Sequence, residues 1–314
     1  MLLEFNYIVI KCNTNNKNVK TVIFKTEKKI NKESLINLYL VEYFDTDYLL
    51  SYKILSAKKI ELTIKKKKKE WDKIIRIFYE IETVNNDILN NIPKNIFITY
   101  KNNDIPKKVK SNLSKLNPEH TIFFYDDNKC VSFLEKHYSK KFANFFKQIK
   151  WGPIKSDFWR LCVLYVYGGV YYDIDIEPYV PISDFIEDNI TFCTCLSVNK
   201  KHIFQAFLAS TQKNFLIRTC IMIMYLKNNR KLNYFEMSGT YDMYFVLKKF
   251  LQNKEIKANK VYDMQKQKIK ILEEYAEDNT NLVTITNTAK VRFQNVDIFK
   301  SRYNDYNFTE HCFE

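Results

Sequence analysis

Two acidic residues one position apart, Asp173 and Asp175 in the triplet Asp173-Ile174-Asp175, are the residues of this chain whose types and spacing point most directly to chemistry. Along an extended backbone side chains alternate with a period of two, so carboxylates at i and i+2 face the same side and can converge on one ion. A hard divalent cation such as Mg²⁺ or Mn²⁺ prefers oxygen ligands and fills its other positions with water and phosphate oxygens. The pair therefore suits a metal-bound diphosphate. Its bland reading is a solvated acidic strand end. Upstream, Asp157 and Arg160 stand at i and i+3 and would share one face of a helix. They form either a local ion pair or a recognition pair, with Asp157 accepting from sugar hydroxyls and Arg160 donating to sugar or phosphate oxygens.

These residues need elements to bring them together. Lys155 to Tyr167 reads as an amphipathic helix, Gly168-Gly169 as its stop, and Val170 to Ile174 as a strand ending in acid. The acids would then stand at the carboxyl end of a strand, where α/β proteins bind ligands. Strand and helix alternate before this point: strands over Ile96 to Tyr100 and Thr121 to Tyr125, helices over Pro106 to Leu116, Lys129 to His137 and Lys140 to Gln148. The first 75 residues differ. Glu4 to Lys11, Thr21 to Lys25, Tyr48 to Leu55 and Lys59 to Ile64 are short runs rich in Val, Ile, Tyr and Phe, which read as a small β-rich domain. From Trp71 to Asn91 the apolar residues recur at Trp71, Ile74, Ile75, Phe78, Ile81 and Ile88, a helical spacing. The expected division is a β-rich domain over residues 1–75, a linker helix over 76–91 and a catalytic domain over 92–314.

Composition narrows the function classes. Among 314 residues only four are glycine, Gly152, Gly168, Gly169 and Gly239, which excludes a P-loop or dinucleotide fingerprint. Bound phosphate must be held by metal and side chains instead. The seven cysteines lack CxxC or zinc-like spacing and read as buried free thiols in a reducing, cytoplasmic setting. The start MLLEFNYIVIK lacks the pattern of a signal peptide, and the apolar run Leu161 to Val170 is too short to span a bilayer. Besides attraction to an acidic membrane surface, the net charge of +14 has two readings. One is the Lys- and Asn-rich bias of an AT-rich source such as a virus, with the run Lys65 to Lys69 a solvated strand end or linker. The other is a basic nucleic-acid-binding protein with steeply salt-dependent affinity. No RNP-like motif, zinc finger or basic recognition helix supports the second, so no specific nucleic acid is expected. His120, His137 and His202 read as structural or surface residues.

The segment KSDFWRLCVLYVYGGVYYDID resembles, over its whole length, the central motif of the DxD-motif sugar-transferase family. That family includes yeast mannosyltransferases, capsular polysaccharide transferases and, distantly, the glucosylating clostridial toxins. IPKNIFITYK, residues 92 to 101, resembles its opening strand, with Tyr100 at the aromatic position that packs on the nucleotide base and Phe97 where the family usually has His. The resemblance implies an α/β, GT-A-like nucleotide-sugar-binding fold with a mixed central sheet flanked by helices. It also implies a metal-dependent glycosyltransferase using a UDP- or GDP-sugar donor, Mn²⁺ or Mg²⁺, and a glycan or protein acceptor, with retention of configuration. By the same resemblance Asp157 and Arg160 contact the donor sugar, Tyr171 the nucleoside, Asp173 the ribose or metal and Asp175 the metal, with Gly169 beside them in the donor site. The segment Phe204-Gln205-Ala206-Phe207 is similar to a weaker family motif. Ser238-Gly239-Thr240 stands at a Gly-Pro turn without its proline, and His311 at a late His-containing metal motif without its Ser-Trp. A sugar-binding relative that has lost turnover is the remaining alternative, which the preserved Asp157, Arg160 and DxD disfavour.

Overall fold

Short runs of β-branched and aromatic residues pair as strands through the first part of the chain. In the computed structural model, residues 7–11, 19–25, 35–40, 48–66, 74–82, 91–102, 105–227, 239–252, 254–264, 267–276 and 289–300 are described. The chain divides into two units, Leu3–Asp87 and Ile88–Glu314. In the smaller unit the described strands are β1 (Tyr7–Lys11), β2 (Val19–Lys25), β3 (Leu35–Leu40), β4 (Tyr48–Ser56), β5 (Lys59–Lys66) and β6 (Ile74–Glu82). They form two three-stranded antiparallel sheets, ordered β1-β6-β3 and β2-β5-β4. On β5, Ile60, Leu62 and Ile64 are fully buried, the period-two pattern of a strand with one covered face.

Over residues 76–82, the described start of the linker helix expected over 76–91, the chain forms a strand instead. Residues 74–82 are β6, the central strand between β1 and β3. The apolar spacing that matched a helix also places Ile75, Ile77, Tyr79 and Ile81 at alternate positions. With β-branched and aromatic residues this dense, pairing on both strand edges outweighs helical preference.

The larger unit is an α/β fold. Its described elements are β7 (Asn95–Thr99), α1 (Lys107–Leu116), β8 (Thr121–Tyr125), α2 (Asp127–His137), α3 (Lys140–Gln148) and α4 (Gly152–Tyr167). There follow β9 (Gly169–Tyr172), β10 (Glu177–Pro178), β11 (Phe192–Leu196), β12 (Ile203–Ser210), α5 (Phe215–Leu226) and α6 (Gly239–Phe250). The last are β13 (Lys260–Met264), β14 (Gln267–Ala276), β15 (Ala289–Phe293) and β16 (Val296–Lys300). The strands make one ten-stranded sheet ordered β10-β16-β15-β14-β11-β12-β9-β7-β8, with β13 beside β14. It is mixed: β7 runs parallel to β8 and β9, and β11 to β14, while β9 and β12 are antiparallel. A mixed central sheet flanked by helices, beside a small separate β-sheet unit, is consistent with the expected GT-A-like architecture.

Local chemistry starts the helices. Asp126 accepts the Lys129 N–H at the head of α2 (2.8 Å), and Asn214 accepts the Leu216 N–H at the head of α5 (3.0 Å), each satisfying an orphan first-turn donor. The helix α4 was expected to be amphipathic, but it is enclosed on nearly every side: Asp157 to Tyr165 are all buried. Gly168 (φ +63°) and Gly169 (φ +114°) turn the chain from α4 into β9. A Cβ on Gly169 would stand 2.6 Å from Asn95 O on neighbouring β7, so glycine is required there both for its φ and for the close approach. Cys130, Cys162, Cys193, Cys195 and Cys220 are buried free thiols. Among the described residues no helix is long and apolar enough to cross a membrane.

Candidate active site

The site is assembled where the middle of α4 meets the end of β9. Asp157 and Arg160, one helical turn apart, approach to 3.5 Å (Oδ1 to Nη2). The same Nη2 lies 3.1 Å from Asp173 Oδ1, just past β9. Arg160 Nε donates to Ser156 O at 3.0 Å and Nη1 donates to Gln205 O. The guanidinium also lies over the Tyr171 ring, 4.5 Å from its centroid, and the Tyr171 hydroxyl donates to Asp173 Oδ1 at 2.6 Å. Asp157, Arg160, Tyr171 and Asp173 are therefore one hydrogen-bonded group around a buried cation. Exposure is graded: the Arg160 side chain is 3% exposed, Asp157 8% and Asp173 29%. The outer acid is the most exposed of the three charged groups.

Electrostatics follow from this packing. Burial opposes the charge of Arg160, but Asp173, Tyr171, Asp157 and Asp175 together hold it above its ordinary value, so it is a permanent cation. Burial pushes the Asp157 carboxyl up to about 6, against the opposing pull of Arg160 and of the Gly239 N–H. The contribution of Asp175 to Arg160 places it within electrostatic range of the group.

The acidic triplet does not continue the strand. β9 ends at Tyr172, and Asp173 to Ile176 form a turn in which the Ile176 N–H donates to Asp173 O at 3.2 Å. Aspartates readily leave the β ladder for turns. Alternation nevertheless persists: Ile174 and Ile176 are buried in the core while Asp173 and Asp175 stay partly exposed. The two buried isoleucines anchor the turn.

Tyr100 lies just beyond β7, its N–H donating to Tyr125 O at 3.0 Å, and packs partly buried against the cluster that includes Ile174. Phe97 is buried between Phe123 and Tyr167. Gly169 begins β9, two residues before Tyr171. His311 lies outside the described residues. His137 is held by the Tyr167 hydroxyl at 2.9 Å.

Three features of the site were not legible in the sequence. Between Thr194 and Cys195 of β11 the register of β12 jumps from Leu208 to Phe204, so Gln205, Ala206 and Phe207 form a bulge. Its Ala206 carbonyl accepts the Asp173 N–H (2.8 Å) and its Gln205 carbonyl accepts Arg160, so irregular pairing beside the site is what aims both acceptors. Gly239, first residue of α6, donates its N–H to Asp157 Oδ2 at 3.1 Å, placing a helix N-terminus against the carboxylate. Its being one of only four glycines was the available signal. Finally, Lys227 and Asp242 form a buried ion pair (2.6 and 2.7 Å) that ties the end of α5 to α6.

Among the described residues no three His, Cys, Asp or Glu side chains converge as a complete metal cage. Asp173 and Asp175 are both partly exposed carboxylates of the acidic turn. That donor set fits a hard divalent cation completing its shell with water and diphosphate oxygens.

Residues 104–192 match the family model described as the glycosyltransferase sugar-binding region containing the DXD motif. A mannosyl phosphorylinositol ceramide synthase of Saccharomyces cerevisiae is 30% identical over 104 residues, 30% of this chain and 27% of that protein. The initiation-specific alpha-1,6-mannosyltransferase of Candida albicans is 29% identical over 106 residues, 31% of this chain and 28% of that protein. An uncharacterized glycosyltransferase of Acanthamoeba polyphaga mimivirus is 23% identical over 138 residues, 43% of this chain and 54% of that protein. The chain thus spans between about a quarter and about half the length of these curated relatives. The matched segment contains the Asp157, Arg160 and DxD group, and through it the chain is related, at superfamily level, to the DXD-motif glycosyltransferases of fungal and viral sugar-transferase families.

Proposed function

We propose that the chain transfers a sugar from a UDP- or GDP-sugar to a glycan or protein acceptor, with retention of configuration, using Mn²⁺ or Mg²⁺. The observation that carries this is the joining of Asp157, Arg160, Tyr171 and Asp173 around one buried guanidinium, with Asp175 completing the acidic turn. Asp173 and Asp175 would hold the cation. When bound, such an ion supplies Lewis-acid neutralisation of the charge that develops on the leaving diphosphate.

The protein's own groups then bind and orient. Arg160 Nε, Nη1 and Nη2 each have an acceptor within the protein, so it offers a fixed positive field beside the diphosphate more than a mobile fork. Asp157, held by Arg160 and the Gly239 N–H, presents a carboxylate able to accept from sugar hydroxyls. Tyr171 fixes the rotamer of Asp173 through its hydroxyl. Tyr100, aromatic and partly exposed, is the candidate platform for the donor base. A protein nucleophile for a double-displacement route would stand about 5 to 5.5 Å from its acid partner across a glycosidic bond, whereas the acidic turn suits one shared ion.

The test is calorimetric binding of a panel of UDP- and GDP-sugars, and of UDP and GDP alone, with and without Mn²⁺. Asp175→Ala should weaken Mn²⁺-dependent nucleotide binding by on the order of 100-fold, the loss expected for a contact to a charged group. Unchanged Mn²⁺-dependent binding in that variant would reject the metal assignment.

A further inference from the structure

The buried pair of Lys227 and Asp242 has no part in the proposed donor contacts, yet it lies close behind them. Lys227 Nζ stands 2.6 and 2.7 Å from the two carboxylate oxygens of Asp242, with the side chains 8% and 0% exposed. Lys227 caps the end of α5 and Asp242 is in the first turn of α6. Each follows by about one helical turn a residue at which the two helices meet: a Cβ added to Gly239 would stand 3.0 Å from Met224 Sδ. The same Cβ would stand 3.2 Å from Asp157 Cβ, and the Gly239 N–H donates to Asp157 Oδ2 at 3.1 Å. The ion pair is thus one turn away from the place where α6 touches Asp157.

Stability alone does not call for charge at this position. Taking a lysine and an aspartate out of water is costly, and apolar residues of similar volume in their place often leave a protein as stable or more so. What the pair adds is direction. An ammonium held between two carboxylate oxygens is satisfied at one rotation and one depth of the helix, whereas apolar surfaces can pack in several registers. Rotation matters at Gly239, because an α-helix turns by about 100° per residue and a small error would aim its N–H away from Asp157. Lys227 has a second effect: Asp242 lies within electrostatic range of Asp157 with the same sign of charge, and the ammonium offsets that repulsion.

We propose that Lys227 and Asp242 are positioning residues of the donor-sugar site: their pairing fixes the start of α6 so that the Gly239 N–H meets Asp157 and orients its carboxylate for a sugar hydroxyl. Neither residue touches the ligand. The link from the ion pair to the Gly239 hydrogen bond stands on geometry, while its consequence for the sugar rests on the donor reading above. Binding of nucleotide and cation, assigned to other residues, should not depend on it.

The four glycines make the test direct, since isotope-labelled glycine gives only four backbone amide resonances and that of Gly239 is the one absent from Gly239→Ala. The main variant combines Lys227→Met with Asp242→Leu. It should fold with a thermal midpoint near or above that of wild type. Its Gly239 amide proton should nevertheless move upfield and exchange at least about tenfold faster, with the other three glycines unmoved. Calorimetry with Mn²⁺ should show a loss of at least about tenfold in affinity for the sugar nucleotide that wild type binds best, and none for the matching nucleoside diphosphate. Lys227→Arg, which keeps the charge but carries a wider planar head, should also displace the Gly239 amide, and it decides the matter if the apolar pair does not fold. An unmoved Gly239 amide in the folded variant would overturn the proposal. So would a lowered midpoint with all four glycine amides shifted alike, the mark of general loosening. A displaced Gly239 amide with sugar-nucleotide affinity intact would overturn the role in the donor site. If wild type itself bound no sugar nucleotide, the donor reading would fall, and the amide measurement would still decide whether the pair positions Gly239.

Discussion

Asp157 holds a negative charge at a place where burial opposes it, and its neighbours only partly relieve the conflict. The carboxyl is raised from 3.8 to about 6, so between these values the native chain retains a proton that the unfolded chain has released. Its contribution to stability is therefore fully present below about pH 4 and is lost as pH rises through about 6. In the absence of metal and donor, wild type should lose on the order of 3 kcal/mol relative to Asp157→Asn between pH 4 and 7, because retaining a proton costs the native chain about 1.4 kcal/mol for each pH step between the two values. Denaturant unfolding of both proteins across that range measures it. Parallel pH profiles would show that Asp157 titrates as an ordinary carboxylate. The same strain has a functional side, since a carboxylate whose charge is opposed by burial gains from accepting a ligand's hydrogen bond.

At the scale of elements, the site depends on two places where regular structure is interrupted. One is the Gly168-Gly169 junction, which lets β9 lie directly against β7 and delivers Tyr171 and Asp173 beneath α4. Gly169→Ala places a Cβ 2.6 Å from a backbone oxygen at φ +114° and should cost on the order of 3 kcal/mol, lowering the thermal midpoint by several degrees. Gly152→Ala is the control. It lies in the first turn of α4 with nothing within 4 Å of the added methyl, and should be neutral or slightly stabilising. Equal effects of the two substitutions would show that the junction tolerates a side chain. The second interruption is the bulge of β12, whose two carbonyls position Arg160 and Asp173.

Considered as a whole, the molecule has two units with separate sheets, and every residue of the candidate site that is described belongs to Ile88–Glu314. The sequence placed the recognisable motifs after Ile92 and set the division at a linker helix over residues 76–91. The cut belongs after Asp87, because β6 is the middle strand of its sheet and would carry two unpaired edges if left on the larger piece. A chain beginning at Ile88 should bind nucleotide and Mn²⁺ with affinity within a few fold of the full chain. Calorimetry on a monodisperse sample with a native-like circular dichroism spectrum checks this. A folded piece without nucleotide binding would show that the first 87 residues help to form the site.

The chemistry-bearing residues and most elements around them could be read from local pattern. The strand Thr121–Tyr125 and the helix Lys140–Gln148 occur over the residues expected, and the i, i+3 spacing of Asp157 and Arg160 does join them. These depend on neighbours a few positions away, which periodicity and glycine placement encode directly. Residues 74–82 departed from expectation because one apolar spacing satisfied both helix and strand, and the presence of two pairing partners decided between them. The turn at Asp173–Ile176, the β12 bulge, the Gly239 N–H on Asp157 and the Lys227–Asp242 pair belong to tertiary structure alone. Arg160 meets Gln205 across 45 residues and Asp157 meets Gly239 across 82, and no local pattern records such a meeting. The sequence by itself therefore determined which residues carry charge and how each element presents them. Only the packing of α4 between the sheet and α6 decided that Arg160 would be the buried hub, because burial and long-range approach set which polar groups find partners.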